Sequence, residues 1–207
     1  MREGYIDLRG HQVYSYEWDN NGEALVLLHG GLSQTSHFDF TVLPAVEKTH
    51  HVFGYDRTAH GFTGDREGSM HFDFQYEEAV AYLEDVVKEP AHIIGFSDGA
   101  IIALMVAMRR PDLVKSVVSF GGNFHYSGNL ELPEWDGFVS PEDRAEYAVT
   151  SPDAPETLVI CCANNPLVKL STVPMVFRWV RSKRPITSGK KSFSYPKTAS
   201  GKRCSSS

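Results

Sequence analysis

Between Ala91 and Arg110 an apolar run passes into a helical stretch through five residues, Gly95-Phe96-Ser97-Asp98-Gly99. Ala91 to Phe96 reads as a strand, and Gly99 to Arg110 as a mostly apolar helix ended by Pro111. No other feature restricts the fold as much. A strand that reverses into a helix without a linker needs small residues where the two backbones approach, here Gly95 and Gly99. It also needs a strained conformation at the serine between them. That serine is pushed towards solvent, beside N–H groups of the first helical turn that favour negative charge.

The flanking chain fits such a turn. Tyr5-Ile6-Asp7-Leu8 and Val13-Tyr14-Ser15-Tyr16 alternate around Gly10-His11, as an antiparallel hairpin should. Ala24 to Leu28 is continuously apolar, the pattern of a strand covered on both faces, and His29-Gly30-Gly31 ends it. Phe38 to Val46 predicts a helix, His51 to Tyr55 a strand, and Asp56 to Gly64 a loop. Tyr76, Ala79, Val80, Leu83, Val86 and Val87 recur at helical spacing. Val114 to Phe120 and Thr157 to Cys161 are further strand candidates. Residues 123–156, with four prolines, read as a loop-like, reduced cap over one end of the sheet. A hairpin followed by alternating strands and helices predicts an α/β fold: a mostly parallel, doubly wound sheet with helices on both faces.

The net charge of −6 averages two unlike segments. Residues 1–177 carry all 26 acidic groups and a net −15; residues 178–207 carry nine basic groups and no acid. The reading is a domain over 1–177 and a basic, disordered tail over 178–207. Basic tails can contact phosphates, but the acidic body repels polyanions, so no nucleic-acid partner is expected. The longest apolar run, Ala100 to Met108, is nine residues against the ~20 of a membrane span, so no membrane partner is expected. The charged N-terminus lacks an apolar signal core, which predicts a cytoplasmic location. Cys161, Cys162 and Cys204 show neither a disulfide framework nor metal-ligand spacing, and phosphate-binding glycine loops are absent. No cofactor or metal is expected, and the expected partner is a small-molecule substrate. The oligomeric state is left open.

GxSxG in its strand-to-helix context resembles the nucleophile elbow of the α/β-hydrolase fold family, and the resemblance covers about residues 4–177. His29-Gly30-Gly31 resembles that family's oxyanion turn, and Asp56-Arg57-Thr58-Ala59-His60-Gly61 its structural aspartate-arginine turn. The Ser97-Asp98-Gly99 form is similar to biphenyl-hydrolase-like and valacyclovir-hydrolase-like enzymes, which cleave esters of amino acids and related small acyl groups. The resemblance implies a cofactor-free hydrolase of small esters or amides. Ser97 is its nucleophile, the N–H groups of Gly31 and Asp98 form the oxyanion hole, and the reaction passes through an acyl-enzyme. The Asp98 carboxylate either recognises a substrate amino group, as the subgroup implies, or faces solvent.

The chain departs from the family further on. In Cys162-Ala163-Asn164-Asn165-Pro166-Leu167-Val168 an asparagine, Asn165, occupies the acid position, and an amide brings no charge to stabilise imidazolium. No histidine follows His125, so the family's last strand, helix and catalytic histidine are missing and the chain looks truncated at its C-terminus. His125 reads as a substrate contact, a surface residue or a substitute base. The alternative function is therefore a catalytically impaired hydrolase-fold protein that at most binds a small molecule. The charge break at 178 also fits a frameshift or altered splicing.

Overall fold

The computed structural model of the protein describes residues 1–123, 140–153 and 177–180. Its strands are β1 (Arg2–Leu8), β2 (His11–Trp18), β3 (Glu23–Leu28), β4 (His50–Tyr55), β5 (Ala91–Phe96), β6 (Val114–Phe120) and β7 (Phe177–Val180). They form one sheet in the order β1-β2-β4-β3-β5-β6-β7. The β3–β4, β3–β5 and β5–β6 pairings are parallel, while β1–β2, β2–β4 and β6–β7 are antiparallel. The expected doubly wound sheet is thus parallel at its centre and antiparallel at both edges.

β3 anchors the sheet because Ala24 to Leu28 are all buried, and burying a Val or Leu side chain stabilises by roughly 1.5–3 kcal/mol. Its alternate residues serve two cores. Val26 and Leu28 pack with Ile93, Ile102 and Val106 beneath helices α2 (Phe72–Tyr82) and α3 (Asp98–Arg109). Leu25 and Leu27 pack on the other face with Val52, Phe38 and Leu43, below a 3-10 turn (Thr35–Phe38) and the one-turn helix α1 (Leu43–Val46). Among the described residues, no helix is long and apolar enough to cross a membrane.

Four expectations change. The helix over 38–46 divides into the 3-10 turn and α1, because Pro44 has no N–H to donate back to Phe40 and is tolerated only in a first helical turn. The helix over 76–87 begins earlier, where His71 caps the Asp73 N–H, and its last five residues, Leu83–Val87, form a π turn. Inside the stretch read as loop lies α4 (Pro141–Thr150). Its start signal, Ser140-Pro141-Glu142-Asp143, was legible: proline suits the first helical position and acids suit the first turn. Finally, β7 carries the sheet to Val180, three residues into the segment read as tail. The strand candidate at 157–161 and the rest of the cap and tail lie outside the described residues.

Candidate active site

The elbow works through two glycine contacts. A Cβ on Gly95 would sit 2.3 Å from the Gly99 carbonyl oxygen, and a Cβ on Gly99 would sit 2.0 Å from that of Leu28. Both neighbours are backbone, so only glycine lets β5, α3 and β3 approach this closely. Ser97 between them has φ 52 and ψ −115, a conformation that L-residues rarely adopt, and is half-buried. Its N–H donates to the Phe120 carbonyl at 2.8 Å, and its own carbonyl accepts from the Ala100 and Ile101 N–H groups. The turn is therefore tied to both β6 and α3.

The segment after β3 lies directly against it. A Cβ on Gly30 would be 3.1 Å from Ser97 Cβ, and one on Gly31 would be 2.7 Å from Asp98 Oδ2. The Gly30 carbonyl is held from behind: Arg57 Nη2 donates to it at 2.7 Å, and His29 Nδ1 lies 2.8 Å away. His29 Nε2 accepts the Arg57 backbone N–H at 3.0 Å, so the proton resides on Nδ1, which donates to Gly30. No cis peptide bond occurs among the described residues, and in a trans peptide N–H and C=O point to opposite sides. Anchoring the Gly30 carbonyl therefore fixes the direction of the Gly31 N–H, away from Arg57. Among the described residues neither that N–H nor the Asp98 N–H donates a hydrogen bond.

The electrostatics are set by burial. His29 is 1% exposed, and burial followed by the Arg57 charge holds its pKa well below the ordinary value, so the ring stays neutral. His60, which donates from Nδ1 to the Thr58 carbonyl, is pushed down to about 3 by burial and then by Arg57. Asp98 is 7% exposed, which rejects the solvent-facing alternative for its carboxylate. Burial raises its pKa, with the Arg57 charge opposing. Arg57 is itself buried, bonds the Gln75 side-chain oxygen, and balances Glu78, which accepts from the Thr58 N–H and hydroxyl. Asp56 organises the same loop, accepting from the Thr35 N–H at 2.8 Å, the Phe62 N–H at 3.0 Å and the Tyr16 hydroxyl at 3.1 Å. Arg57 is the functional neighbour that the sequence understated, since a motif labels it structural without saying that it grips Gly30.

Of the expected site residues, Ser97, Gly31 and Asp98 come together; His125 and Asn165 lie outside the described residues. Among the described residues Ser97 Oγ has no hydrogen bond, and the described histidines bond elsewhere or not at all. His37, for example, lies 2.8 Å from Ser33 Oγ and 2.6 Å from Glu146, linking the segment after β3 to α4. Leu32, Ser33, His37, His60, Glu146 and Tyr147 line a cleft there. Glu17 on β2, Asp19 just beyond its end and His51 on β4 bring potential metal-ligand atoms within 4.8 Å of one another. Arg2 already bonds Glu17 at 2.8 Å, so that cluster is compensated without an ion.

A family model for the alpha/beta hydrolase fold matches residues 23–148, and the chain belongs to that family. An AB hydrolase superfamily protein of Gibberella zeae is 30% identical over 138 residues, which are 64% of this chain and 47% of the relative. A proline iminopeptidase of Heyndrickxia coagulans is 31% identical over 139 residues, 65% of this chain and 46% of the relative. The chain thus spans about half the length of the curated relatives it matches. A solved hydrolase from Pseudomonas aeruginosa superposes with a TM-score of 0.60 at 17% identity, covering 78% of this chain and 71% of that one. E-2-(acetamidomethylene)succinate hydrolase superposes with a TM-score of 0.55 at 16% identity, covering 79% and 63%. These two likenesses concern the fold alone.

Proposed function

We propose that the chain is a serine hydrolase of small esters or amides. Ser97 Oγ attacks the substrate carbonyl, and the Gly31 and Asp98 N–H groups receive the oxyanion. Collapse of the tetrahedral adduct expels the leaving alcohol or amine, whose proton comes from the one Ser97 surrenders, and water then hydrolyses the acyl-enzyme. The observation that carries this reading is the strained φ of Ser97 beside two backbone N–H groups that donate no hydrogen bond among the described residues. The Asp98 carboxylate, buried against Gly31, suits recognition of a substrate amino group, and His125 is kept as a substrate contact. The second reading, a binder without efficient turnover, is favoured by Ser97 Oγ having no hydrogen bond to a described histidine and by Asn165 at the acid position.

Fluorophosphonate labelling and a p-nitrophenyl ester panel, run beside Ser97→Ala, separate the two. Labelling and turnover that vanish in Ser97→Ala support the hydrolase. Equal, background-level signals from both proteins overturn it in favour of the binder.

A further inference from the structure

We infer that Phe96 and Phe120 form a binding subsite for a flat, apolar acyl group, one bearing an aryl ring. The inference rests on Ser97 being the reacting group. Most large apolar side chains of the described residues are buried, yet Phe96 is 45% exposed and Phe120 44% exposed. They are register partners at the ends of the parallel strands β5 and β6, and their rings stack with centroids 5.9 Å apart and planes 27° from parallel. Apolar rings left half in water beside each other make a surface that gains from being covered.

Their position selects the occupant. Phe96 immediately precedes Ser97, and the Phe120 carbonyl accepts the Ser97 N–H at 2.8 Å. On its other side the Phe96 ring packs onto the bare Gly30, where a Cβ would lie 3.1 Å from Cδ1. The ring therefore spans the gap between the segment carrying the Gly31 N–H and β6. Gly121, at φ 69, turns the backbone at the end of β6, and its Cβ position lies 4.0 Å from Ser97 N with nothing nearer. An acyl group held on Ser97 starts one residue from this aromatic wall, whereas a protein partner seated on the rings would cover the serine. Aromatic rings prefer an offset-stacked or edge-on aromatic partner, so a planar ring is the best-matched occupant.

The test has a binding arm and a turnover arm. In the binding arm, saturation-transfer NMR measures phenylacetate binding to the full-length Ser97→Ala protein, alone and combined with Phe120→Ala or with Phe120→Leu, which keeps apolar volume but loses the flat face. Phe120→Ala is expected to weaken binding about tenfold and Phe120→Leu about fivefold, the scale of an aromatic contact with its buried area. In the turnover arm, the ratio of kcat/KM for p-nitrophenyl phenylacetate to that for p-nitrophenyl acetate is expected to fall about tenfold in Phe120→Ala. Absent phenylacetate binding, or affinity unchanged within twofold in both Phe120 variants, overturns the subsite. Binding that weakens as expected while neither ester is turned over leaves the subsite standing and overturns Ser97 as nucleophile. If Phe120→Ala does not fold, Phe120→Leu decides the question alone.

Discussion

Gly99→Ala sets two effects of opposite sign against each other. Inside a helix, alanine is favoured over glycine by about 1 kcal/mol, and Gly99 has no positive φ, so propensity alone predicts stabilisation. The added Cβ, however, would lie 2.0 Å from the Leu28 oxygen and 2.5 Å from the His29 oxygen. Both are backbone atoms of the central strand and its exit, so α3 and β3 must separate by about 1 Å. Overpacking costs typically about 1–3 kcal/mol when side chains can yield; here only backbone can, which places this case at or above the upper end. The net expectation is a loss of about 2–3 kcal/mol, a large share of the ~5–15 kcal/mol that holds a domain folded. With a urea slope of about 2 kcal/mol/M, the unfolding midpoint drops by about 1–1.5 M at unchanged slope. Urea titration followed by tryptophan fluorescence reads this directly. A midpoint equal to or above wild type would show that the strand-to-helix approach is looser than these contacts require.

Asp98→Asn is expected to raise the melting temperature at pH 7. A buried carboxyl whose pKa is raised destabilises the folded state once pH exceeds its unfolded value, so the advantage should vanish towards pH 4; a variant melting below wild type at pH 7 contradicts this. His60→Asn tests the opposite sign. A histidine held neutral to about 3 binds fewer protons folded than unfolded, so stability falls by roughly 1.4 kcal/mol per pH unit below ~6.5. The variant should show a shallower decline in urea midpoint between pH 7 and 5, and an unchanged slope refutes the assignment. Arg57→Lys keeps the charge, but a single ammonium cannot reproduce the fork to Gly30 and Gln75. We expect kcat on p-nitrophenyl acetate to fall about tenfold with KM nearly unchanged, less than the ~100-fold loss of an oxyanion donor itself. A pure KM effect would indicate that Arg57 does not orient the Gly31 N–H.

The elbow was legible because its constraint is steric and local: two glycines at fixed offsets from a serine, between an apolar run and a helix, allow few other geometries. β3 was equally legible, since five consecutive buried residues leave no polar face. Other features were carried by backbone or by distant partners. β7 pairs through main-chain groups on the open edge of β6, which requires no side-chain periodicity. α4 announced itself in Ser140-Pro141, but the three other prolines nearby, Pro133, Pro152 and Pro155, read as loop. That Arg57 reaches Gly30, 27 residues away, depends on the loop after β4 folding back beneath the end of β3, which no local pattern encodes.

The grip on the Gly30 carbonyl bears on how this corner of the molecule meets a ligand. Flipping that peptide would strand two donors, on Arg57 and His29, that are each 1% exposed and so shielded from solvent. The turn is therefore rigid before anything arrives. Under the proposed reaction, an incoming molecule would have to bring its own shape to the Gly31 amide, and selectivity at this end would arise from rejection of misfits rather than from adjustment of the host.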